Sequence, residues 1–225
     1  MRRMIGALLL GLTATAVAHA HALYVVADGS DPAKLTIVFS DDLSPDARVK
    51  ATTWKKLEST KLTARTADGK TTEVKSSTGE HCLKASAPAG TQVIYGQVDY
   101  GVSTKSAKPS HLMFYPKAIV GAIPADGGKT GVPLEIVPSV GAGKVRFQVL
   151  ASGKPVAGAS VVVMLPEPKD EKDDATTDEQ GFTSGFAGKG RFGVTVRHIE
   201  AKAGELNGQK FEQKSLVATL VVDVK

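Results

Sequence analysis

The sequence predicts an all-β protein, with two β-sandwich domains following a signal peptide. Helical periodicity is almost absent, whereas short runs of β-branched residues alternate with Gly, Pro, Asp and Asn at the spacing typical of sandwiches. Val145, Phe147 and Val149 also alternate with Arg146 and Gln148, which is the period of two expected for a strand with one buried face. Together these observations favour short strands joined by tight turns.

The first twenty residues have the composition of a secretory signal. Arg2 and Arg3 precede an uncharged, mostly apolar run over residues 5–17, and small residues follow it. The run is shorter than the ~20 residues that a membrane-spanning helix needs. We therefore expect a periplasmic or secreted protein, with no stable membrane insertion once the signal is removed.

Two neighbouring histidines make the cleavage point important. Ala18-His19-Ala20 meets the small-x-small rule for a cut before His21, whose α-amine would then be free. A cut after Ala18 would release a chain that begins with His19, and a cut after Ala22 would discard both histidines. We take the cut before His21 as the working interpretation, with an uncleaved anchor as a further alternative.

Turn and loop signals interrupt the predicted strands of the first half. Residues 67–70 contain Asp-Gly, which readily forms a hairpin turn. Residues 41–51 are polar and contain Pro45, so we expect a loop there with at most one helical turn. The predicted strands of this half are 21–27, 35–39, 61–66, 71–75, 81–85, 92–100 and 111–120.

A cluster of turn-forming residues separates the two halves. Residues 121–133 contain Pro124, Gly131 and an Asp-Gly-Gly sequence that begins at Asp126, without any strand pattern. We therefore place the domain boundary there. The predicted segments are a signal peptide at 1–20, an N-terminal domain at 21–122, a linker at 123–133 and a C-terminal domain at 134–225.

The second half ends in its most apolar stretch. Residues 216–224 are almost continuously apolar, so we expect them at the centre of a sheet. Residues 167–174 carry five carboxylates, but their spacing does not match a D-x-[DN]-x-[DN]-G calcium loop, so we expect a solvated hairpin tip. The predicted strands of this half are 134–138, 144–150, 159–165, 181–185, 190–199 and 215–224.

Charge and cysteine content narrow the range of partners. Loss of Arg2 and Arg3 lowers the formal net charge from +5 to +3, because 26 basic and 23 acidic residues then remain. No basic patch is interleaved with aromatic residues, so we expect no nucleic-acid partner. Cys82 is the only cysteine and has no intramolecular disulfide partner. We interpret it as a small buried side chain, with a thiolate ligand beside His81 as the alternative.

The C-terminal part resembles a known sandwich. Residues 154–163 (KPVAGASVVV), 177–182 (TDEQGF) and 190–196 (GRFGVTV) are similar to the prealbumin-like or carboxypeptidase-regulatory-like β-sandwich of exported bacterial proteins. The resemblance implies an immunoglobulin-like or prealbumin-like fold. It says little about function, because such modules generally serve as spacers or accessory domains.

The whole mature chain also resembles a family of exported bacterial proteins of unknown function that is associated with nickel and cobalt uptake in the periplasm. The stretches that carry this resemblance are HALYVV at 21–26, IVFSDDL at 37–43, VIYG at 93–96, DYGV at 99–102 and FYPKA at 114–118. The resemblance implies a periplasmic binding or accessory protein. We expect a metal transporter or another envelope protein as its partner.

An amino-terminal histidine is a metal chelator in its own right. The α-amine and Nδ1 of His21 would bind one ion together, and a further imidazole would complete a three-nitrogen site suited to Cu(II), Ni(II) or Co(II). We predict His111 as that ligand and His81 as the next candidate. Met113 and Tyr115 share the strand face of His111. The divalent transition metal is copper, nickel or cobalt, and the sequence does not choose among them.

Several alternatives stay open. A chain that begins at His19 would place His21 third from a free amine, which also binds Cu(II) or Ni(II). A protein without metal would be a structural or adhesive module that binds protein or glycan. A copper-dependent oxidative polysaccharide enzyme also begins with histidine, but Trp54 is the only tryptophan available to grip a glycan. The sequence lacks G-x-S-x-G, H-E-x-x-H and phosphate-loop motifs, so we expect no enzyme activity.

Overall fold

The computed structural model describes residues 21–58, 60–167 and 171–225. Within these residues it has eighteen strands and one short helix, which confirms the all-β class. The predicted signal segment at 1–20 lies outside the described residues. The elements are β1 (Ala22–Ala27), β2 (Lys34–Ser40), α1 (Ala51–Leu57), β3 (Lys61–Thr66), β4 (Thr71–Val74), β5 (Ser76–Gly79), β6 (Cys82–Ser86), β7 (Thr91–Ser103), β8 (Ser110–Ile119), β9 (Leu134–Gly141), β10 (Lys144–Ala151), β11 (Lys154–Pro155), β12 (Ser160–Met164), β13 (Lys172–Thr176), β14 (Phe186–Ala187), β15 (Gly190–Glu200), β16 (Gly204–Leu206), β17 (Gln209–Phe211) and β18 (Gln213–Val224).

Among the described residues, the strands form one large sheet, two smaller outer sheets and a two-stranded hairpin of β16 and β17. The central sheet has the order β13-β12-β15-β18-β8-β7-β3-β4. The first outer sheet has the order β1-β2-β6-β5, and the second outer sheet is built on β10, which pairs with β9, β11 and β14. In the central sheet β18 pairs with β8 in parallel. Strands from both sides of the predicted linker therefore share one sheet, and the division into two domains stays a prediction.

The two central strands are buried on both faces. Along β8, Phe114 packs into a first core with β1 and β2, whereas its neighbour Tyr115 packs into a second core with β9 and β10. Along β18, Val217 packs into the first core and its neighbour Leu216 packs into the second. This alternation follows from the opposite directions of successive strand side chains. The central sheet is thus covered by one outer sheet on each face, and the prediction that 216–224 is central is confirmed.

Most predicted strands are present, with ends that shift by a few residues. The predicted strand 61–66 has the same bounds in the structure, and the Asp-Gly turn after it is present, with Gly69 N donating to Thr66 O at 3.0 Å. The predicted strand 181–185 is wrong. Phe182 makes only an isolated bridge to the central part of β10, and the Thr183 hydroxyl accepts a hydrogen bond from Phe147 N at 3.1 Å.

Two segments form regular secondary structure that the sequence does not predict. Helix α1 follows the predicted loop and buries Trp54 and Leu57 against the first core. Strand β13 pairs with β12 as the returning arm of the predicted hairpin, and residues 168–170 of its tip lie outside the described residues. With only seven residues, α1 is far too short to cross a bilayer, and the described ranges contain no other helix that would.

Candidate functional site at His21

His21 lies directly before β1, and both of its ring nitrogens face carboxylates. The antiparallel register of β1 and β2 sets Ala22 opposite Ser40, so the next residue, Asp41, lies beside His21. Its Nδ1 is 3.2 Å from Asp41 Oδ1, and its Nε2 donates to Asp46 Oδ2 at 2.8 Å. The His21 side chain is 29% exposed, so the cluster is accessible from solvent.

His21 Nδ1 and Asp41 Oδ1 lie within ion-pair distance but lack hydrogen-bond geometry. Asp41 Oδ1 is buried and has no hydrogen-bond partner among the described residues. A neutral imidazole carries one N–H, which Nε2 directs toward Asp46. Nδ1 then presents a lone pair to a carboxylate oxygen. A cation shared by the two atoms would offset this unfavourable contact.

Arg48 holds the second carboxylate in place. Its Nε donates to Asp46 Oδ1 at 2.9 Å, its Nη2 donates to Oδ2 at 2.8 Å, and its backbone N donates to Oδ1 at 2.8 Å. Asp46 is 8% exposed. The hydrogen bonds from Arg48, with a smaller one from His21, hold the pKa of Asp46 well below its ordinary value although burial acts in the opposite direction.

We expect Asp46→Asn to destabilise the fold at neutral pH, and the difference from the natural chain to shrink on acidification. A carboxylate with a lowered folded pKa stabilises the fold above its ordinary value of 3.8 and loses this effect as the pH falls toward the folded pKa. Urea midpoints of both chains at about pH 7 and about pH 2.5 measure the change. Asp173→Asn, in exposed β13, is the control, and an Asp46→Asn deficit that is equal at both pH values would contradict the expectation.

An aromatic cluster lies next to the His21 ring. The Phe39 ring is 5.5 Å from that of His21, and it stacks on Tyr100 at 5.9 Å. Phe114 meets Phe39 and Tyr100 edge-on, at 5.6 and 5.7 Å. The Nζ of Lys56 lies 5.0 Å from the centre of the Tyr100 ring. These separations are those of favourable aromatic and cation–π contacts, so the three rings pack together as one apolar surface.

A cavity of about 820 Å3 opens beside the aromatic cluster. His21 lines its edge, and Phe39, Tyr100 and Phe114 line its apolar part. Further walls come from the beginnings of β8 and β18 and from the ends of β7 and β15. The histidine cluster and the cavity therefore form one continuous site on the first-core face of the central sheet.

The structure does not bring His111 to His21. His111 is on β8 and shares the face of Met113 and Tyr115, which pack into the second core. Its Nε2 donates to Asp99 Oδ1 at 2.8 Å, and it is 8% exposed. His21, by contrast, contacts Phe39 in the first core. The central sheet thus lies between the two imidazoles, and with this backbone they do not share an ion.

Among the described residues, His81 makes no hydrogen bond or ion pair with the His21 cluster. It occupies the turn between β5 and β6, is exposed and has a left-handed φ of 52°. Its neighbour Cys82 is buried, as the sequence predicts. Among the described residues, no group of three or more His, Cys, Asp or Glu side chains is placed to hold a metal.

Sequence reasoning missed Asp41 and Asp46 as neighbours of His21. The signal for Asp41 was present, because a hairpin of β1 and β2 places the residue before one strand opposite the residue after the other. Asp46 lacked such a signal, since its position depends on the path of the loop between β2 and α1 and on the hydrogen bonds of Arg48. Tyr100 and Phe114 belong to stretches that carry the family resemblance, and only the packing of β7 and β8 brings their rings to Phe39.

Comparisons with known proteins give a family but no activity. A solved structure that is similar to this chain is a pullulanase from Anoxybacillus sp. LM18-11, at 13% identity and a TM-score of 0.19, over 86% of this chain and 27% of that chain. This chain thus spans about a quarter of the pullulanase, and the low TM-score gives no basis for comparing folds. The comparison with curated proteins finds no match. The family model described as "Domain of unknown function (DUF4198)" matches residues 18–200, so the chain belongs to the DUF4198 family.

Proposed function

We propose that this chain is an exported periplasmic binding protein that holds a divalent transition metal at His21, its first residue after signal removal, and that it has no catalytic step of its own. The supporting observation is the 3.2 Å approach of His21 Nδ1 to the buried Asp41 Oδ1, which has no hydrogen-bond partner among the described residues. A shared cation would satisfy both atoms.

Three donor atoms would coordinate the metal. Cleavage before His21 supplies the α-amine, which forms a six-membered chelate with Nδ1, and Asp41 Oδ1 is the third donor. Because the amine is one of the three, two side chains are sufficient. Asp46 accepts the hydrogen bond from Nε2 at 2.8 Å and so orients the ring, an arrangement common around metal-bound histidines. In this proposal Asp41 takes the place that the sequence assigned to His111.

The donor set suggests which metals would bind. Two nitrogens and one carboxylate oxygen suit Cu(II), Ni(II) or Co(II). Arg48 offsets part of the negative charge of the cluster, since it pairs with Asp46 and lies 3.9 Å from Asp41. The bound metal would be cargo, which the protein passes to a metal transporter or another envelope protein.

We expect the exported protein to begin with His21 and to bind Ni(II) and Cu(II) at least about tenfold more tightly than a form whose α-amine is acetylated. Acetylation removes the amine as a donor but keeps every side chain. Mass spectrometry identifies the first residue, and isothermal titration calorimetry measures both affinities. Asp41→Asn, which removes the carboxylate charge, should weaken binding to a similar extent.

Two controls separate this site from general metal affinity. His111→Gln and Asp28→Asn remove a ligand-type side chain elsewhere and should leave both affinities unchanged within about twofold. Equal, weak binding by the exported protein and the acetylated form would refute the proposal. A mass that begins at His19 would also refute the Asp41 chelate, since His21 would then have no free amine.

A further inference from the structure

The cavity beside His21 has the size and lining of a small-molecule site. Its volume of about 820 Å3 lies within the range of ~300 to 1,000 Å3 that is typical of such pockets. One part is apolar, formed by the ring cluster and Leu112. The other part is polar, with serines from β7, β8 and β18. The cavity therefore suits a ligand with one apolar and one polar end.

The charged residues that line the cavity all have the same sign. Arg48, Lys50, Lys105 and Arg197 contribute to its walls, and no Asp or Glu belongs to the lining. Arg48 is paired with Asp46. Within the described part of the chain, the other three cations have no ion-pair partner. Partial desolvation by neighbouring side chains lowers the pKa of Arg197, although the residue as a whole is exposed. An anion would compensate these charges.

Ser215 gives a second, independent indication of a ligand. It is 2% exposed, and its Oγ has no hydrogen-bond partner among the described residues. The neighbouring Ser110 Oγ, by contrast, accepts a hydrogen bond from Gln213 Nε2 at 2.9 Å. A buried hydroxyl without a partner destabilises a protein, so such groups usually have a structural or ligand-binding reason. Ser215 lines the cavity, where a polar ligand atom would reach its hydroxyl.

The apolar part of the cavity favours a flat ligand body. Phe39 and Tyr100 stack with an interplanar angle of 15°, and Phe114 supports both rings from their edges. Ile199 of β15, which is 46% exposed, adds an uncovered apolar wall. Contiguous exposed apolar surface rimmed by polar residues commonly marks a binding site.

We propose that this cavity binds a small organic anion with a flat apolar body. The anionic group lies among Lys50, Lys105 and Arg197, the apolar body packs on the Phe39 and Tyr100 rings, and Ser215 hydrogen-bonds a polar atom of the ligand. This binding goes beyond the metal site and does not depend on it, because none of these contacts requires a metal.

The test uses two fluorescent probes that differ in charge. The full chain is titrated in EDTA with 8-anilinonaphthalene-1-sulfonate, which is anionic, and with N-phenyl-1-naphthylamine, which is neutral. We expect Lys105→Gln with Arg197→Gln to weaken binding of the sulfonate by about tenfold or more, because two charge-assisted contacts are lost, and to change binding of the neutral probe by less than about twofold. Ser106→Trp, which fills the cavity, should weaken both probes.

Matched variants complete the experiment. Lys189→Gln with Lys202→Gln makes the same charge change outside the cavity lining and should leave sulfonate binding unchanged. Circular dichroism checks that each variant is folded, and Lys105→Gln alone, at an exposed position, replaces the pair if the pair is not. Equal sulfonate affinity in the cavity and control variants would overturn the proposal, as would unchanged binding in Ser106→Trp. Since EDTA removes free metal, these outcomes are distinct from failure of the metal site.

Discussion

Lys117→Met is expected to lower the free energy of unfolding by about 3 to 5 kcal/mol, because it leaves a buried carboxylate without its cation. Lys117 Nζ lies 3.2 Å from Glu135 Oε2, and their side chains are 3% and 2% exposed. Burial lowers the pKa of Lys117 from 10.5 to about 8, and the Glu135 carboxylate opposes this effect. The ammonium group is therefore still charged at neutral pH, and the pair links β8 to β9.

Loss of the cation beside Glu135 should lower the stability of the fold strongly, because this carboxylate also holds the loop before β9 through hydrogen bonds. It accepts hydrogen bonds from Thr130 N at 2.9 Å, Thr130 Oγ1 at 3.1 Å and Gly131 N at 3.2 Å. Urea unfolding measures the loss of stability. Lys34→Met removes an exposed pair with Asp31, at 72% and 45% exposure, and should cost less than about 1 kcal/mol. Equal losses in Lys117→Met and Lys34→Met would contradict the expectation.

Leu220→Asp and Val221→Asp are each expected to prevent folding. In a sheet with one solvated face, a charged side chain would destabilise the fold at only one of two successive positions, the buried one. Here Leu220 packs into the second core and Val221 into the first, at 0% and 3% exposure. An unpaired carboxylate at either position costs several kcal/mol, a large part of the stability of a typical domain.

Circular dichroism and the yield of folded chain measure the effect of these two variants. Val140→Asp, on β9, is the matched control, since Val140 is 53% exposed and the same change should leave the fold intact. A folded Val221→Asp with the stability of the natural chain would contradict the arrangement in which both faces of β18 are covered.

The strands that the sequence predicted are those with a buried face or a continuous apolar run. The predicted strands 144–150 and 190–199 correspond closely to β10 and β15, because alternating or dense β-branched residues mark them. Strands β5, β13 and β16 were not predicted as strands. Their residues are mostly exposed and polar, so hydrophobic periodicity carries no information about them.

Helix α1, the one helix among the described residues, was also not predictable from sequence patterns. Helix α1 spans only seven residues and buries two of them, Trp54 and Leu57. It has no side-chain N-cap hydrogen bond, so the usual start signal is missing. Packing of Trp54 and Leu57 into the first core, rather than intrinsic preference, therefore accounts for its stability.

The sequence by itself determined the all-β class, most strand positions and the Asp-Gly hairpin, because each depends on local composition or spacing. Only the tertiary structure decided which residues meet. The parallel pairing of β8 with β18 joins the two halves into one sheet, which places His111 on the face opposite His21. The same packing brings Asp41, the aromatic rings and the basic cavity wall together. Such contacts depend on long-range strand pairing and loop paths, and residue spacing along the chain does not encode them.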